Sequence, residues 1–365
     1  MRVMLIAGVL GLMSTIAAAA PAPKPGTKAM PRSGAVLAPP APPIIIAHRG
    51  ASADRPEHTL ASYALAIEQG ADFIEPDLVA TRDGQLVARH ENEISGTTDV
   101  ASHPEFAARE TTKTIDGERF TGWFTEDFTL AELQTLFARE RLPQLRPANT
   151  AFDGRERIPT LDQIIALAKS ATARTGRTIG IYPETKHPSY FRQAGLPLEP
   201  PLLAALKAAG WTTAAAPVFI QSFEVQNLKD LRSQTGVRLI QLIADGVSGD
   251  GVAYDSLVTP AGLQAVAAYA AGIGPARERI IPRDGKGVLG APTTLVADAH
   301  AAGLQVHPWT FRPENFFLGQ PWRRGSDPQA RGDAAGEIRH YLETGIDGVF
   351  SDSPAAVVAA LGRAE

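Results

Sequence analysis

The residues best suited to chemistry begin at an abrupt change of character. Ile44-Ile45-Ile46-Ala47 is apolar, and His48-Arg49-Gly50 follows at once. A short apolar run bounded by glycine predicts a buried strand. In α/β folds the carboxyl ends of such strands carry the chemistry. An imidazole titrates near neutrality, a guanidinium grips phosphate through two donors, and glycine lets backbone come close to a ligand. Glu75 and Asp77, in Phe73-Ile74-Glu75-Pro76-Asp77-Leu78-Val79, have the period-2 spacing that puts both carboxylates on one strand face. His90 closes Leu86-Val87-Ala88-Arg89-His90, and Glu184 and Lys186 close Tyr182-Pro183-Glu184-Thr185-Lys186. Gln221, Trp309 and Asp352 end later runs. Three carboxylates in a chain without cysteine make a hard oxygen site for Ca²⁺ or Mg²⁺, with Mn²⁺ behind them. Zinc favours more nitrogen ligands.

Each member has an ordinary alternative. Glu-x-Asp at a strand end also caps helices or lines a solvated rim. Glu184 and Lys186 can form a surface ion pair of little consequence, His90 can simply pair with Glu91, and Trp309 can be packing. Together, two histidines, an arginine, a lysine and three acids at one predicted mouth are hard to explain as packing.

The elements that must position these residues alternate along the chain. A helix is expected over 56–69, starting at Pro56 and stopping at Gly70. Strands follow at 73–79 and 86–90. Residues 92–128 break the pattern, being polar and Thr- and Gly-rich with scattered Phe106, Phe120, Trp123 and Phe124. An excursion this long inside a domain predicts a lid or binding module. Beyond it, helices are expected at 130–137, 161–173, 200–209, 224–234, 260–271, 293–302, 334–343 and 354–361. Strands are expected at 178–182, 218–223, 238–244, 280–281, 304–310 and 348–351. Strands separated by helices imply parallel right-handed crossovers. About eight such units predict an α/β fold of the closed (β/α)8, or TIM-barrel, type, with an insertion after the second strand region.

The chain has 365 residues, 44% of them hydrophobic, enough for a sizeable core. Its formal net charge of −4 argues against a nucleic-acid partner or a polybasic membrane clamp. Residues 1–19, with Arg2, an apolar stretch and then small alanines, predict a cleaved signal peptide, hence periplasmic export without a stable membrane anchor. Residues 20–43 are rich in Pro, Ala and Gly and predict a linker. The folded domain is then 44–365. The sequence does not specify an oligomeric state.

The chain resembles the glycerophosphodiester phosphodiesterase family, above all its bacterial periplasmic, metal-dependent members. His48-Arg49-Gly50-Ala51-Ser52, Pro56-Glu57-His58-Thr59-Leu60 and Glu75-Pro76-Asp77-Leu78 carry the resemblance. So do Leu86-Val87-Ala88-Arg89-His90, Ile179-Gly180-Ile181-Tyr182-Pro183-Glu184-Thr185-Lys186, His307-Pro308-Trp309-Thr310 and Asp347-Gly348-Val349-Phe350-Ser351-Asp352. It implies a (β/α)8 barrel that cleaves small glycerophosphodiesters to sn-glycerol 3-phosphate and an alcohol such as choline or ethanolamine. It also implies His48 and His90 as the acid–base pair and Glu75, Asp77 and Glu184 as ligands of a divalent ion, Ca²⁺ first and Mg²⁺ second. Arg49 would hold the phosphate and Lys186 would support metal or phosphate; Gln221 and Trp309, from their strand-end positions, are expected to contact substrate as well. The sequence departs from the family pattern at Glu91, where Asp is usual, at His58, where Asn is commoner, and at Pro76 between the two metal carboxylates.

Two other readings remain open at this level. A related barrel of phospholipase C or D type would act on intact lipids through an exposed apolar rim, which Phe120, Trp123 and Phe124 could supply. A periplasmic binding protein would capture phosphodiesters without turnover and would need no acid–base pair.

Overall fold

Among the described residues, eight parallel strands form the expected ring. The structure, a computed structural model, describes residues 42–363; the predicted signal peptide and nearly all of the predicted linker lie outside the described residues. The strands are Ile44–His48, Phe73–Glu75 resumed as Asp77–Ala80, Gly180–Ile181 resumed as Glu184–Thr185, Phe219–Ser222, Arg238–Ile243, Gly272–Pro275, Gln305–Val306 and Gly348–Ser351. From the first to the seventh, each pairs in parallel with the next. Two seams close the ring. Ile44–His48 pairs with Gly348–Ser351, and the amides of Asp347 and Phe350 donate to the carbonyls of Val306 and Pro308.

Three local expectations are corrected. The first helix runs over Leu60–Glu68, not from Pro56, because Thr59 is its N-cap and accepts from the Ser62 amide. His58 just before it has φ 54°, a left-handed conformation no helix continues. The second strand is interrupted at Pro76, which lacks an N–H. The Pro76 carbonyl still accepts from the Glu184 amide, so the two halves keep one register. The sixth strand is Gly272–Pro275 rather than 280–281. Glycine and proline weaken the strand signal of Gly-Ile-Gly-Pro, but the barrel needs positions without side chains here. A Cβ on Gly272 would lie 2.6 Å from the Gln305 carbonyl oxygen, and one on Gly274 would lie 2.7 Å from Leu242 Cδ2.

The insertion is built on an antiparallel hairpin, Thr111–Ile115 with Glu118–Gly122. After it the chain makes only one helical turn, Leu130–Leu133, before Leu161–Thr175. That long helix has both end signals in sequence, a Thr160–Gln163 capping box and Gly176 at φ 70°.

An apolar plug of Ile46, Phe73, Tyr182, Phe219, Ile240 and Phe350 fills the barrel, with Tyr182 stacked on Phe219 at 4.9 Å between centroids. His307 is buried beside it. Its Nδ1 pairs with the Tyr182 hydroxyl at 2.8 Å, and its Nε2 has no partner among the described residues. Burial takes its pKa down to about 4. An unfolded histidine titrates near about 6.5. Below that pH the unfolded chain binds a proton that the native site refuses. The contribution of His307 is therefore whole above the unfolded pKa and is lost as pH falls toward about 4. In urea unfolding at a series of pH values, His307→Gln is expected to lose stability on acidification less steeply than wild type, by about 1 kcal/mol per pH unit. Parallel slopes for the two proteins would show that His307 is not the group responsible.

Candidate active site

Where the strand ends converge, a cavity of about 80 Å³ is lined by His48, Arg49, Glu75, His90, Glu184, Lys186, Gln221 and Trp309. Asp77 is the ninth of the residues expected from the sequence to catalyse, hold metal or contact substrate. It is buried, with a carboxylate oxygen within 4.8 Å of ligand atoms of both Glu75 and Glu184. Strands distant in sequence thus bring all nine together. A second cavity of about 380 Å³ shares Glu184, Lys186 and Phe223 with the first. Asp116, Glu118 and Phe120 of the insertion hairpin form part of its wall.

The period-2 spacing of Glu75 and Asp77 survives the break at Pro76, and register does the rest. Asp77 is paired with Glu184, and Glu184 with Gln221. Glu75 accepts from the Arg49 amide at 2.8 Å and from Gln221 Nε2 at 3.0 Å. Asp77 Oδ2 accepts from His58 Nε2 at 2.9 Å, whereas its Oδ1 is buried without a partner among the described residues. Glu184 accepts from Lys186 Nζ at 3.0 Å.

Burial, reinforced by Asp77 and Glu184, pushes the Glu75 carboxyl well above the usual range. Burial also takes Glu184 up to about 8, with Asp77 adding to it and Lys186 opposing. For Asp77 burial is outweighed by Lys186 and His58, which hold it well below. An orphaned carboxylate oxygen facing two carboxyls driven toward protonation fits a divalent cation, which would return both to the charged form. Glu75, Asp77 and Glu184 are the residues that could hold one.

The backbone at Arg49 is unusual, with φ 60°. It aims the amide at Glu75 and the guanidinium at Glu57, whose Oε2 accepts from Arg49 at 3.0 Å and from Arg141 at 2.8 Å. Gly50 is required next to it, because a Cβ there would lie 2.4 Å from Ser62 Oγ.

Both histidines are backed by carboxylates, but the backings differ. His48 Nδ1 donates to Asp352 Oδ1 at 2.6 Å. Asp352 Oδ2 accepts in turn from Arg146 at 2.5 Å and Arg312 at 3.1 Å, so this backing is locked in the core. Burial, then Arg49, lowers the His48 pKa to about 4. His90 Nδ1 pairs with Glu91 Oε1 at 2.8 Å, and its Nε2 lies 3.4 Å from Lys186 Nζ. Burial, then Arg49 and Lys186, lowers His90 to about 3. Glu91 Oε2 accepts from His187 Nε2 at 2.9 Å, and His187 Nδ1 donates to Asp116 Oδ2 at 2.6 Å. Although burial opposes it, these two carboxylates raise His187 to about 9, so it is an imidazolium.

Several of these partners carry no strong sequence signal. Glu57 and His58 sit in a quotable motif but give no hint of which residue they touch. Arg141, Arg146, Arg312, Asp116 and His187 lie in loops or turns, where no periodicity marks a side chain's direction. The arrangement can hold a cation, bind an anion and move protons on two sides of one small space.

The chain has clear relatives. The sequence model of the Glycerophosphoryl diester phosphodiesterase family matches residues 48–356. A glycerophosphodiester phosphodiesterase of Arabidopsis thaliana is 36% identical over 326 residues, covering 85% of this chain and 83% of the relative. One from Haemophilus influenzae is 32% identical over 340 residues, covering 85% and 87%. Among solved structures, a phosphodiesterase of Oleispira antarctica in complex with its product sn-glycerol-3-phosphate superposes with a TM-score of 0.59 at 21% identity, covering 88% of this chain and 97% of that one. A glycerophosphodiester phosphodiesterase of Agrobacterium tumefaciens gives 0.53 at 20% identity, covering 87% and 99%. With most of its length matched and its strand-end residues gathered in one cavity, the chain belongs to the glycerophosphoryl diester phosphodiesterase family.

Proposed function

We propose that this protein hydrolyses glycerophosphodiesters to sn-glycerol 3-phosphate and an alcohol, using a divalent ion at Glu75, Asp77 and Glu184 and the imidazoles of His48 and His90. The observation that carries the reading is that both imidazoles line the same 80 Å³ cavity as Arg49, Glu75 and Glu184. A bound ion supplies positive charge against that developing on the phosphoryl oxygens. Ca²⁺ suits the all-carboxylate donor set, with Mg²⁺ the alternative.

The chain's own residues account for the rest. Arg49 and Lys186 hold the phosphodiester anion, and Trp309 and Gln221 bound the pocket around it. The Asp352 bond leaves His48 Nε2 as the free acceptor, and its lowered pKa keeps it neutral at ordinary pH. His48 therefore takes the proton of the attacking hydroxyl, from water or from the substrate's own neighbouring glycerol hydroxyl. His90 supplies the proton to the departing alcohol. The entering anion offsets Arg49 and Lys186, two of the causes that depress His90, so the complex favours its protonated form. The pattern of residues 1–19 supports export to the periplasm.

A lipid-directed reading has less support. Of the three rings that could form a rim, Phe124 is buried, Trp123 donates to the Phe106 carbonyl at 2.7 Å, and Phe120 is half-buried in the wall of the second cavity, so they do not make one exposed apolar rim.

The direct test is release of glycerol 3-phosphate from glycerophosphocholine by metal-stripped protein, before and after Ca²⁺. Activity is expected to vanish on chelation and return with the ion; full activity after exhaustive chelation would sink the metal assignment. Glu75→Gln is expected to weaken metal affinity while leaving the melting temperature of the metal-free protein unchanged or raised, because it removes one of three mutually repelling carboxyls. A large destabilisation without metal would contradict that.

His48→Ala and His90→Ala are each expected to lower kcat by at least about 10²-fold on glycerophosphocholine. On a nitrophenyl ester, whose leaving group departs unprotonated, only His90→Ala is expected to recover. If neither recovers, the division of roles fails; if neither loses activity, the catalytic reading of both is wrong.

A further inference from the structure

The backing of His90 differs from that of His48 in one respect that the reaction should feel. Asp352 is buried and held by Arg146 and Arg312, whereas the side chain of Glu91 is 40% exposed. Its one anchor besides His90, among the described residues, is His187. His187 in turn is held by Asp116, at the turn of the insertion hairpin. We propose that His187 and Asp116 are positioning residues for proton donation, holding Glu91 so that it orients the His90 ring and stabilises its charged form. This rests on the reading of His90 as the general acid.

The geometry is built rather than incidental. His187 adopts φ 46°, a left-handed conformation that costs a non-glycine residue about 1 kcal/mol or more, while Asp116, at φ 49° before Gly117 at φ 87°, takes the left-handed place that a two-residue Asp-Gly hairpin turn favours. Both ring nitrogens of His187 are used, one on each carboxylate, and a neutral imidazole cannot donate twice. The docking place of Asp116 is cleared for it as well. Gly249, in the loop after the fifth barrel strand, has no room for a side chain, since a Cβ would lie 2.9 Å from Asp116 Oδ1 and 3.0 Å from Glu224 Oε1. The series Asp116–His187–Glu91–His90 therefore runs from the insertion to the cavity through contacts of 2.6, 2.9 and 2.8 Å.

In the step concerned, the attacking hydroxyl oxygen, its proton taken by His48, forms a bond to phosphorus while the bond from phosphorus to the alcohol oxygen breaks and its electron pair stays on that oxygen. The oxygen takes the proton from His90 Nε2, and the imidazole is left neutral with Nδ1–H still on Glu91. Without His187, Glu91 is free to swing into solvent. The ring then loses its orientation and the charge that favours its protonated form. The groups that would hold the phosphate itself, Arg49, Lys186 and the metal site, are untouched.

The test uses the full metal-loaded protein and steady-state kinetics on glycerophosphocholine and on the nitrophenyl ester. Asp116→Asn, isosteric and on the surface, and His187→Gln are each expected to lower kcat on the choline ester about 10-fold, with KM within about twofold. The loss on the nitrophenyl ester is expected to be several-fold smaller, and Asp116→Glu to recover part of the activity. Equal losses on both esters, a change confined to KM, or no loss at all would each overturn the proposal. His90→Ala, measured alongside, separates the two levels. If its loss depends on the leaving group and those of Asp116→Asn and His187→Gln do not, the positioning role alone is wrong. If its loss does not depend on the leaving group, the acid assignment falls and this proposal with it.

Discussion

Three carboxylates buried within 4.8 Å of one another set the terms for the rest of the site. At that separation each charged pair repels by about 3 kcal/mol even at an effective dielectric of about 20, and burial adds a desolvation cost to each. A domain whose whole stability is of the order of 10 kcal/mol cannot carry this uncompensated. The surrounding residues read as compensation. His58 and Lys186 hold Asp77 ionised, the Arg49 amide and Gln221 take up both oxygens of Glu75, and Lys186 sits on Glu184. The compensation stops short of completion, since Glu75 and Glu184 stay shifted upward and Asp77 Oδ1 stays unpartnered. The remaining deficit has the sign and the place of a cation.

That arrangement also explains the state of the histidines. The cations that neutralise the carboxylates, Arg49 and Lys186, are the ones that disfavour protonation of His90, and Arg49 does the same at His48. With no anion present the cavity holds two neutral imidazoles. An incoming phosphodiester reverses part of that field, and the ring beside Lys186 gains most because two of its depressing neighbours are then paired. On the proposed role of His90 as the general acid, substrate charge thus helps set the protonation state that cleavage uses.

Much of this was legible in the sequence, and what was not has physical causes. Strand ends were readable because apolar runs stop sharply at them, as at His48. Barrel register then converts strand-end positions into neighbours without further information. Glu75 and Asp77 were readable as a pair because period 2 is a property of the chain itself, and Pro76 broke the ladder without rotating either side chain away. The sixth strand was misread because Gly272 and Gly274 are chosen by what lies across from them, Gln305 and Leu242, which the local sequence does not contain. Arg146 and Arg312 escaped for the same kind of reason. Each reaches Asp352 from a loop, across 206 and 40 residues respectively.

The insertion is where sequence and structure diverge most usefully. Its composition suggested a lid or module, and scattered aromatics suggested a possible apolar rim. In the fold those aromatics mostly pack inward, and it is the polar turn of the hairpin that reaches the site. Asp116 walls the larger cavity and also ends the series of contacts leading to His90. On the roles proposed for His90 and His187, one element therefore bounds a space next to the site and braces the group that would protonate the leaving alcohol. A barrel tolerates long insertions because its strands are fixed independently of its loops. It follows that an insertion can change both what fits beside the phosphate and how readily the alcohol departs, without moving any of the three carboxylates on which the site depends.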